Sequence, residues 1–318
     1  MIKDIFELEI GDKTLKIKLT DWAEQASGSC IVSYGETEVL ATAVMSKENI
    51  DGKDFFPLTV EYDEKFYAAG KILGSRFLKR ESRPSDEAIL TSRMIDRAVR
   101  PLFPKDFKKE VQIIVSCVSF DGENDPDILG MIAGSFALAV SNIPWNGPLG
   151  AIRVGKIGEK FILNPTYKQR QESVLDLALS AINSGDEVLI NMIEMGSKEV
   201  SENDMLEATE FAEDVLKKII DFQKKIIAKV GAKKTIFNSK VELDIEKDIK
   251  EFLNNRLEET ITNAKPGEKN FDQIDALKEE TITFIKGKYP TEGKTNQILP
   301  FFEKEMERII IKNIIEKN

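Results

Sequence analysis

The chain of 318 residues contains no histidine. This absence excludes Ser–His and Cys–His catalysis, histidine general bases and most zinc sites, because each of them requires an imidazole. Any chemistry in this chain must therefore use carboxylates, lysines, a metal ion held by oxygen atoms, or the phosphate group of a substrate.

Cysteine and long apolar runs are also scarce. The two cysteines, Cys30 and Cys117, lie far apart in apolar, strand-like segments, and there is no CxxC pair. This usage predicts buried thiols in a reducing compartment. The N-terminus lacks the apolar stretch of a signal peptide, and no run approaches the roughly 18 apolar residues of a membrane span. We therefore expect a cytoplasmic protein with no membrane partner.

Positive charge is unevenly distributed along the chain. The formal net charge is −10, yet six of the ten arginines lie between Arg76 and Arg100. The acidic balance argues against non-specific coating of duplex nucleic acid and favours a localised site. Arginine offers a planar, bidentate fork that matches phosphate. The cluster therefore predicts an anion-binding site.

A helix is predicted within this cluster. Ser85 is the expected N-cap, two carboxylates follow in the first turn, and Pro101 prevents continuation beyond about residue 100. Three arginines of the helix would share an arc of about 60°, and apolar residues would occupy the opposite arc. The two sets are Arg93, Arg97 and Arg100 against Ile95, Ala98, Val99 and Leu102.

The loop before the helix combines one aromatic ring with three cations. These residues are Phe77, Lys79, Arg80 and Arg83. Stacking of bases on an aromatic ring beside cations that pair with phosphates is a common way to hold single-stranded nucleic acid. A second interpretation stays open from the spacing alone. The charged face can simply be solvated, with Asp86, Glu87 and Asp96 forming weak surface pairs with the arginines.

The hydrophobic pattern predicts an α+β domain over residues 1–230. Its first 65 residues contain five short alternating runs typical of strands, and residues 111–119 form a largely apolar run typical of a buried strand. A helix rich in small residues is expected at 126–141, followed by four more strands and a long amphipathic helix over about 203–230. Mixed sheets with packed helices are the expected architecture.

The second domain is predicted to be helical. Residues 231–318 are rich in Lys and Glu with helical periodicity, broken near Pro266-Gly267 and Tyr289-Pro290. We expect a small all-α domain of three to four helices.

Two long motif blocks resemble the first core domain of bacterial polynucleotide phosphorylase. They read FFPLTVEYDEKFYAAGKILGSRFLKRESRPSDEAILTSRMIDRAVRPLFP and ENDPDILGMIAGSFALAVSNIPWNGPLGAIRVG. The resemblance covers most of residues 1–225, and residues 240–318 are similar in position and character to the helical domain that follows in that family. It implies a ribonuclease-PH-like core.

The resemblance also implies a function. The family degrades RNA from the 3′ end by phosphorolysis, takes part in mRNA degradation and can polymerise RNA in reverse. It uses Mg²⁺ and inorganic phosphate in a second core. Three chains form a ring around an RNA channel, and other RNA-decay proteins are expected as partners. The implied RNA contacts in this sequence are Phe77, Lys79, Arg80, Arg83, Arg93, Arg97 and Arg100, with an intramolecular bracing role open for the last three.

The sequence departs from the catalytic pattern of the family. The serine-rich phosphate turn of the second core corresponds here to an acidic turn, residues 121–125, which would repel phosphate. Asp176 lacks the lysine two residues later that the metal site of the family requires, so we expect a structural role for it. We therefore predict no catalytic and no metal-binding residue in this chain. The second core and the KH and OB-fold domains are expected to be absent.

The sequence is compatible with three functions. The favoured prediction is the RNA-guiding, ring-forming part of a polyribonucleotide nucleotidyltransferase, inactive when alone. The alternative is a purely structural oligomerisation fragment that binds no RNA by itself. An independent small-anion enzyme has little support, because no GxxxxGK[ST] phosphate loop occurs.

Overall fold

The computed structural model describes residues 2–49, 55–72, 83–104, 107–185, 187–235, 243–262, 271–289 and 298–316. The chain divides into two compact units, Met1–Phe237 and Asn238–Asn318. The segment just after residue 231 belongs to the first unit. The backbone N–H groups of Ala232 and Thr235 donate to the carbonyl oxygens of Val140 and Asn142, each at 2.8 Å. The division therefore falls later than the sequence pattern predicts.

A six-stranded sheet forms one side of the first unit. Its strands are β1 (Ile2–Ile10), β2 (Lys13–Thr20), β3 (Gly28–Tyr34), β4 (Thr37–Asn49), β5 (Leu58–Glu64) and β6 (Lys109–Ser119), in the order β1-β2-β3-β4-β6-β5. Tight turns join β1 to β2 and β3 to β4. Gly11 and Gly35 supply the positive φ angles of 63° and 62° that these turns require.

One pair in this sheet is parallel, and it determines where two helices begin. β5 runs parallel to β6, whereas the other pairs are antiparallel. Helix α1 (Asp86–Val99) lies between β5 and β6 in the chain, and α2 (Pro126–Val140) follows β6. Both helices therefore begin near the carboxyl ends of the two parallel strands.

A four-stranded antiparallel sheet forms the second layer of strands. It contains β7 (Leu149–Ile157), β8 (Lys160–Leu163), β9 (Leu175–Ser184) and β10 (Glu187–Ser197), in the order β10-β9-β7-β8. The short helix α3 (Tyr167–Glu172) joins β8 to β9. The long helix α4 (Glu202–Val230) packs on β7 and β9.

Helix α2 is the centre of the core. It packs on β3, β4 and β6 of one sheet and on β7 of the other, so every residue except Asp127 and Val140 is buried. Its small residues allow this close packing, as the sequence predicts. The closest approach is to β3. A Cβ atom on Gly28 would lie 2.2 Å from the carbonyl oxygen of Ala137.

Gly28→Ala is therefore expected to destabilise the first unit by about 1–3 kcal/mol, because the added methyl group forces β3 away from α2. Urea unfolding of the variant measures this change. Gly196→Ala in β10 is the matched control, since nothing lies within 4 Å of the position of its Cβ. Equal stability of the two variants would contradict the close packing of α2 on β3.

The second unit is helical over its described residues. Its helices are α5 (Leu243–Leu253), α6 (Arg256–Thr262), α7 (Phe271–Lys288) and α8 (Ile298–Glu316). They enclose a small apolar core of their own: Ile245, Ile249, Leu253, Leu257, Leu277, Ile285, Ile298, Phe302 and Ile309.

The predicted α+β class is confirmed, with a mixed sheet, an antiparallel sheet and packed helices followed by helices alone. Within the described ranges, no helix combines the length and the apolar character that crossing a membrane would need.

Candidate functional site

Helix α1 forms as the sequence predicts. The side-chain oxygen of Ser85 accepts a hydrogen bond from the N–H group of Ala88 at 3.0 Å, and Asp86 and Glu87 occupy the first turn. Ile95 and its apolar neighbours are fully buried on one face. The arginines therefore project from the opposite face of the helix.

Arg100 braces the edge of the six-stranded sheet. Its guanidinium group donates to both carboxylate oxygens of Asp96, at 2.8 and 2.6 Å. It also donates to the carbonyl oxygens of Phe56 and Leu58, each at 3.2 Å. These bonds tie α1 to β5. The sequence left two roles open for Arg100, RNA contact and intramolecular bracing. In this structure its guanidinium group makes the intramolecular bonds that bracing requires.

The other predicted arginines are more available. Arg97 pairs with Glu194 of β10, but both side chains are about half exposed, so the pair is weak. Arg93 and Arg83 are exposed and form no ion pair within the part of the chain that the structure describes. Phe77, Lys79 and Arg80 lie outside the described residues.

The structure brings only some of the predicted residues together. Arg93, Arg97 and Arg100 line one open depression of about 580 Å³ with Leu58 and neighbouring residues of β5. Arg83 instead lines a different cavity, at the beginning of α1. RNA contact by each of these residues stays a prediction.

The acidic turn before α2, residues 121–125, is held together by hydrogen bonds to the side chain of Asp121. Asp121 accepts hydrogen bonds from the backbone N–H groups of Glu123 and Asn124, each at 2.8 Å, and from Glu36 N at 3.1 Å. Burial opposes the ionisation of Asp121, but these N–H groups and the Asn124 side chain outweigh it and lower its pKa to about 2. A negative charge therefore stands where a phosphate-binding turn would need hydrogen-bond donors.

Three carboxylates and two guanidinium groups form a cluster beside this turn. Arg153 of β7 pairs with Asp127 and Asp176 and lies 3.6 Å from Asp125. Arg170 of α3 pairs with Asp125 and, at 2.8 Å, with Asp176. The Arg153 residue is only 7% exposed. We call these five residues the Arg153 cluster.

The Arg153 cluster holds one more negative than positive group. Burial, reinforced by the charge of Asp125, raises the pKa of Asp127 to about 7. Burial also opposes the ionisation of Asp176, but Arg153 and Arg170 outweigh it and lower the pKa of that carboxyl. The structural role of Asp176 stays a prediction, and in this structure its carboxylate pairs with both guanidinium groups.

The Arg153 cluster does not fit a Mg²⁺ ion or a phosphate group. The oxygens that would bind the metal ion already accept from guanidinium groups, and those guanidinium groups are paired with internal carboxylates. Across the described ranges, no group of three Cys, Asp or Glu side chains is placed to hold a metal ion.

Sequence reasoning missed the Arg153 cluster. Asp127 and Arg153 are 26 residues apart, and Asp125 and Arg170 are 45 apart. Such separations leave no local spacing signal. The one available hint was that Arg153 and Arg170 lie outside the arginine-rich stretch.

Comparison with known proteins identifies the family. The model of the 3′ exoribonuclease family, domain 1, matches residues 12–144, and that of domain 2 matches residues 147–215. Together they match well over half of the chain. The chain belongs to the 3′ exoribonuclease family.

Relatives and a solved structure agree with this family membership. Polyribonucleotide nucleotidyltransferase of Alkaliphilus oremlandii is 42% identical over 92% of this chain and 41% of its own length. The enzyme of the same name from Exiguobacterium sibiricum is 48% identical over 73% of this chain and 31% of its own length. This 3′ exoribonuclease-family chain thus spans about two fifths of the first relative and about a third of the second.

The crystal structure of rice (Oryza sativa) Rrp46 matches 72% of this chain and 96% of the rice chain. The sequence identity is 15% and the TM-score is 0.54. At this identity the match supports the fold alone. The predicted ribonuclease-PH-like fold is therefore confirmed by the family models and by this structure.

Proposed function

We propose that this chain is part of a polyribonucleotide nucleotidyltransferase, a phosphorolytic 3′→5′ exoribonuclease involved in mRNA degradation, and that it guides single-stranded RNA without breaking the phosphodiester bond. Its relatives at 40–48% identity carry that enzyme name. The main observation behind the proposal that the chain guides RNA without cleaving it is the Arg153 cluster. Both arginines of this cluster are already paired with internal carboxylates.

The proposal that this chain breaks no phosphodiester bond rests on the charges of the Arg153 cluster and of Asp121. Phosphorolysis requires cationic groups that stabilise negative charge as it develops on the transferred phosphate. Arg153 and Arg170 cannot do this, because each is already paired with two carboxylates. The pKa of Asp121, lowered to about 2, keeps a further negative charge at the beginning of α2.

RNA guidance rests on the arginines that stay available. Arg83 and Arg93 are exposed and have no ion-pair partner within the described ranges. The ion-pair partner of Arg97, Glu194, is about half exposed, so a phosphate could displace it. Phe77, Lys79 and Arg80 extend this surface by prediction from the sequence. Cations that lie along the phosphate backbone of a single RNA strand, beside an aromatic ring, can bind RNA of any sequence.

Assembly and cofactors are further parts of the proposal. A homotrimer would place three such surfaces around one RNA path, and other RNA-decay proteins would join it. Mg²⁺ and inorganic phosphate would serve the full-length protein at residues other than those of the Arg153 cluster. Cys30 and Cys117 are buried and unpaired, which suits the reducing cytoplasm.

Charge reversal tests the RNA surface. The double variant Arg83→Glu/Arg93→Glu is expected to weaken binding of a fluorescent 16-nucleotide poly(A) strand by about 10-fold or more at low salt. Its salt slope should fall by about 1.4, since each lost single-strand phosphate contact removes about 0.7. Fluorescence anisotropy across salt concentrations measures both quantities.

The matched control is Lys224→Glu/Lys225→Glu on α4, where both side chains are exposed and the change in net charge is identical. If both pairs weaken binding equally, the arginine surface is not the RNA site. If the unmodified chain binds no RNA, the chain is the oligomerisation fragment of the alternative hypothesis. Phosphorolysis of poly(A) by the purified chain, free of host enzyme, would overturn the non-catalytic assignment.

A further inference from the structure

A large cavity lies at the carboxyl ends of the two parallel strands. It has a volume of about 630 Å³ and lies between the end of β5, the end of β6 and the first residues of α1 and α2. Small-molecule sites have volumes of about 300–1,000 Å³ and favour this edge of a sheet. The position and size are therefore those of a binding site for one small molecule.

Tyr62 lines this cavity, and its hydroxyl group is buried without a hydrogen-bond partner among the described residues. Tyr62 of β5 is only 3% exposed, and its hydroxyl makes no hydrogen bond within the described part of the chain. Buried polar groups almost always have partners, because an unmade hydrogen bond costs the full desolvation of the group. Burial raises the pKa of this hydroxyl, so it stays protonated. It is a donor in need of an acceptor.

The walls of the cavity favour a flat ring. Phe66, Phe120 and Tyr167 line it, and the rings of Phe120 and Tyr167 form an edge contact with centroids 5.9 Å apart. Aromatic faces next to a polar handle, here the Tyr62 hydroxyl, hold heterocyclic rings by stacking and orient them by one hydrogen bond.

The mouth of the cavity favours a single anionic group. Lys71 and Arg83 line it, and neither forms an ion pair within the described ranges. The amino end of α1 adds partial positive charge. However, the cavity lining also includes as many carboxylates as cations: Asp63, Glu64 and Glu87 against Lys65, Lys71 and Arg83. A balanced lining suits one phosphate group better than a polyphosphate.

We propose that this cavity binds a free nucleoside monophosphate, with the base among the aromatic walls, an acceptor atom of the base on the Tyr62 hydroxyl, and the phosphate beside Lys71 and Arg83. The site adjoins the Arg153 cluster through Pro126 and Tyr167, and it does not require the chain to guide RNA.

Isothermal titration with AMP tests the site in the full 318-residue chain. We expect a Kd of about 10–100 µM, typical of a ligand of this size. Tyr62→Phe keeps the ring but removes the donor, and should weaken AMP binding about 10-fold. Tyr34→Phe is the matched control, because the Tyr34 hydroxyl donates to Ile10 O at 2.8 Å and does not line the cavity. It should leave AMP binding unchanged.

The phosphate is tested separately. Lys71→Gln should weaken binding of AMP by about 5-fold and leave binding of adenosine unchanged, because adenosine lacks the phosphate.

Cys117 lines the same cavity, whereas Cys30 is fully buried in the core. AMP should therefore slow labelling of Cys117 by a small thiol reagent and leave Cys30 unaffected.

Several outcomes would overturn the proposal: no AMP binding at 1 mM, equal AMP affinity of Tyr62→Phe and the unmodified chain, or AMP that leaves Cys117 labelling unchanged. Stronger protection of Cys117 by a five-nucleotide RNA than by AMP would assign the cavity to the end of a strand and also overturn it. RNA affinity in Tyr62→Phe should stay unchanged, so failure of this site and failure of RNA guidance are separate results.

Discussion

Arg153→Met is expected to lower the free energy of unfolding by about 3–5 kcal/mol, because it leaves buried carboxylates without their main counter-charge. Arg153 pairs with Asp127 and Asp176, and its side chain is only 9% exposed. Water cannot replace it at this depth. Urea unfolding at pH 7.5 measures the change. The loss should exceed that of most single substitutions in this chain.

Arg97→Met is the matched control for this prediction. It removes the same side chain from an ion pair in which Arg97 is 54% and Glu194 53% exposed, so we expect a loss below about 1 kcal/mol. A second variant separates charge from packing. Asp176→Asn introduced together with Arg153→Met should recover part of the stability, because it removes the charge of a carboxylate that Arg153 neutralises. No recovery would mean that Arg153 acts through its packing.

The unmodified chain is expected to lose stability, on the order of 2 kcal/mol, as pH rises from 5.0 to 7.5, through Asp127 together with the neighbouring Asp125. The pKa of Asp127 is about 7 in the folded state against an ordinary value of 3.8. Between these values the folded chain keeps a proton that the unfolded chain has released. The contribution of Asp127 is therefore complete below its unfolded pKa and is lost as pH rises through its folded pKa.

Asp127→Asn should remove this slope, because the amide does not titrate. Urea unfolding of both proteins at pH 5.0 and 7.5 checks the result. No histidine exists to titrate between pH 5.0 and 7.5. The upper limit avoids Lys234, whose pKa burial lowers to about 8. Asp204→Asn is the control, because the pKa of Asp204 is lowered, mainly by its hydrogen bond to Lys156. An unchanged slope in Asp127→Asn would contradict the raised pKa.

The Arg153 cluster also bears on the proposal that this chain guides RNA without cleaving it. Its two arginines pair with internal carboxylates and link β7, α3 and the beginning of α2 to one another. Under that proposal, the pairs hold these elements in place while neither guanidinium group is available to an external phosphate.

Local features of the chain were predictable because their signals are local. Ser85 caps α1 through a hydrogen bond to a residue three positions later, and Gly11 and Gly35 permit turns between adjacent strands. The small residues of α2 predicted close packing, and the structure places this helix between the two sheets. The absence of histidine excluded whole classes of chemistry without any structure.

The sequence by itself determined the α+β class, the α1 boundaries and the row of arginines. Only the tertiary structure decided which further partners most of these arginines have, because those partners come from distant segments. Arg100 bonds to carbonyl groups more than 40 residues away, Arg153 to carboxylates from two other elements, and Arg93 to none within the described ranges. The partner fixes whether a guanidinium group is free to bind RNA. That is a property of packing, and spacing along the chain cannot encode it.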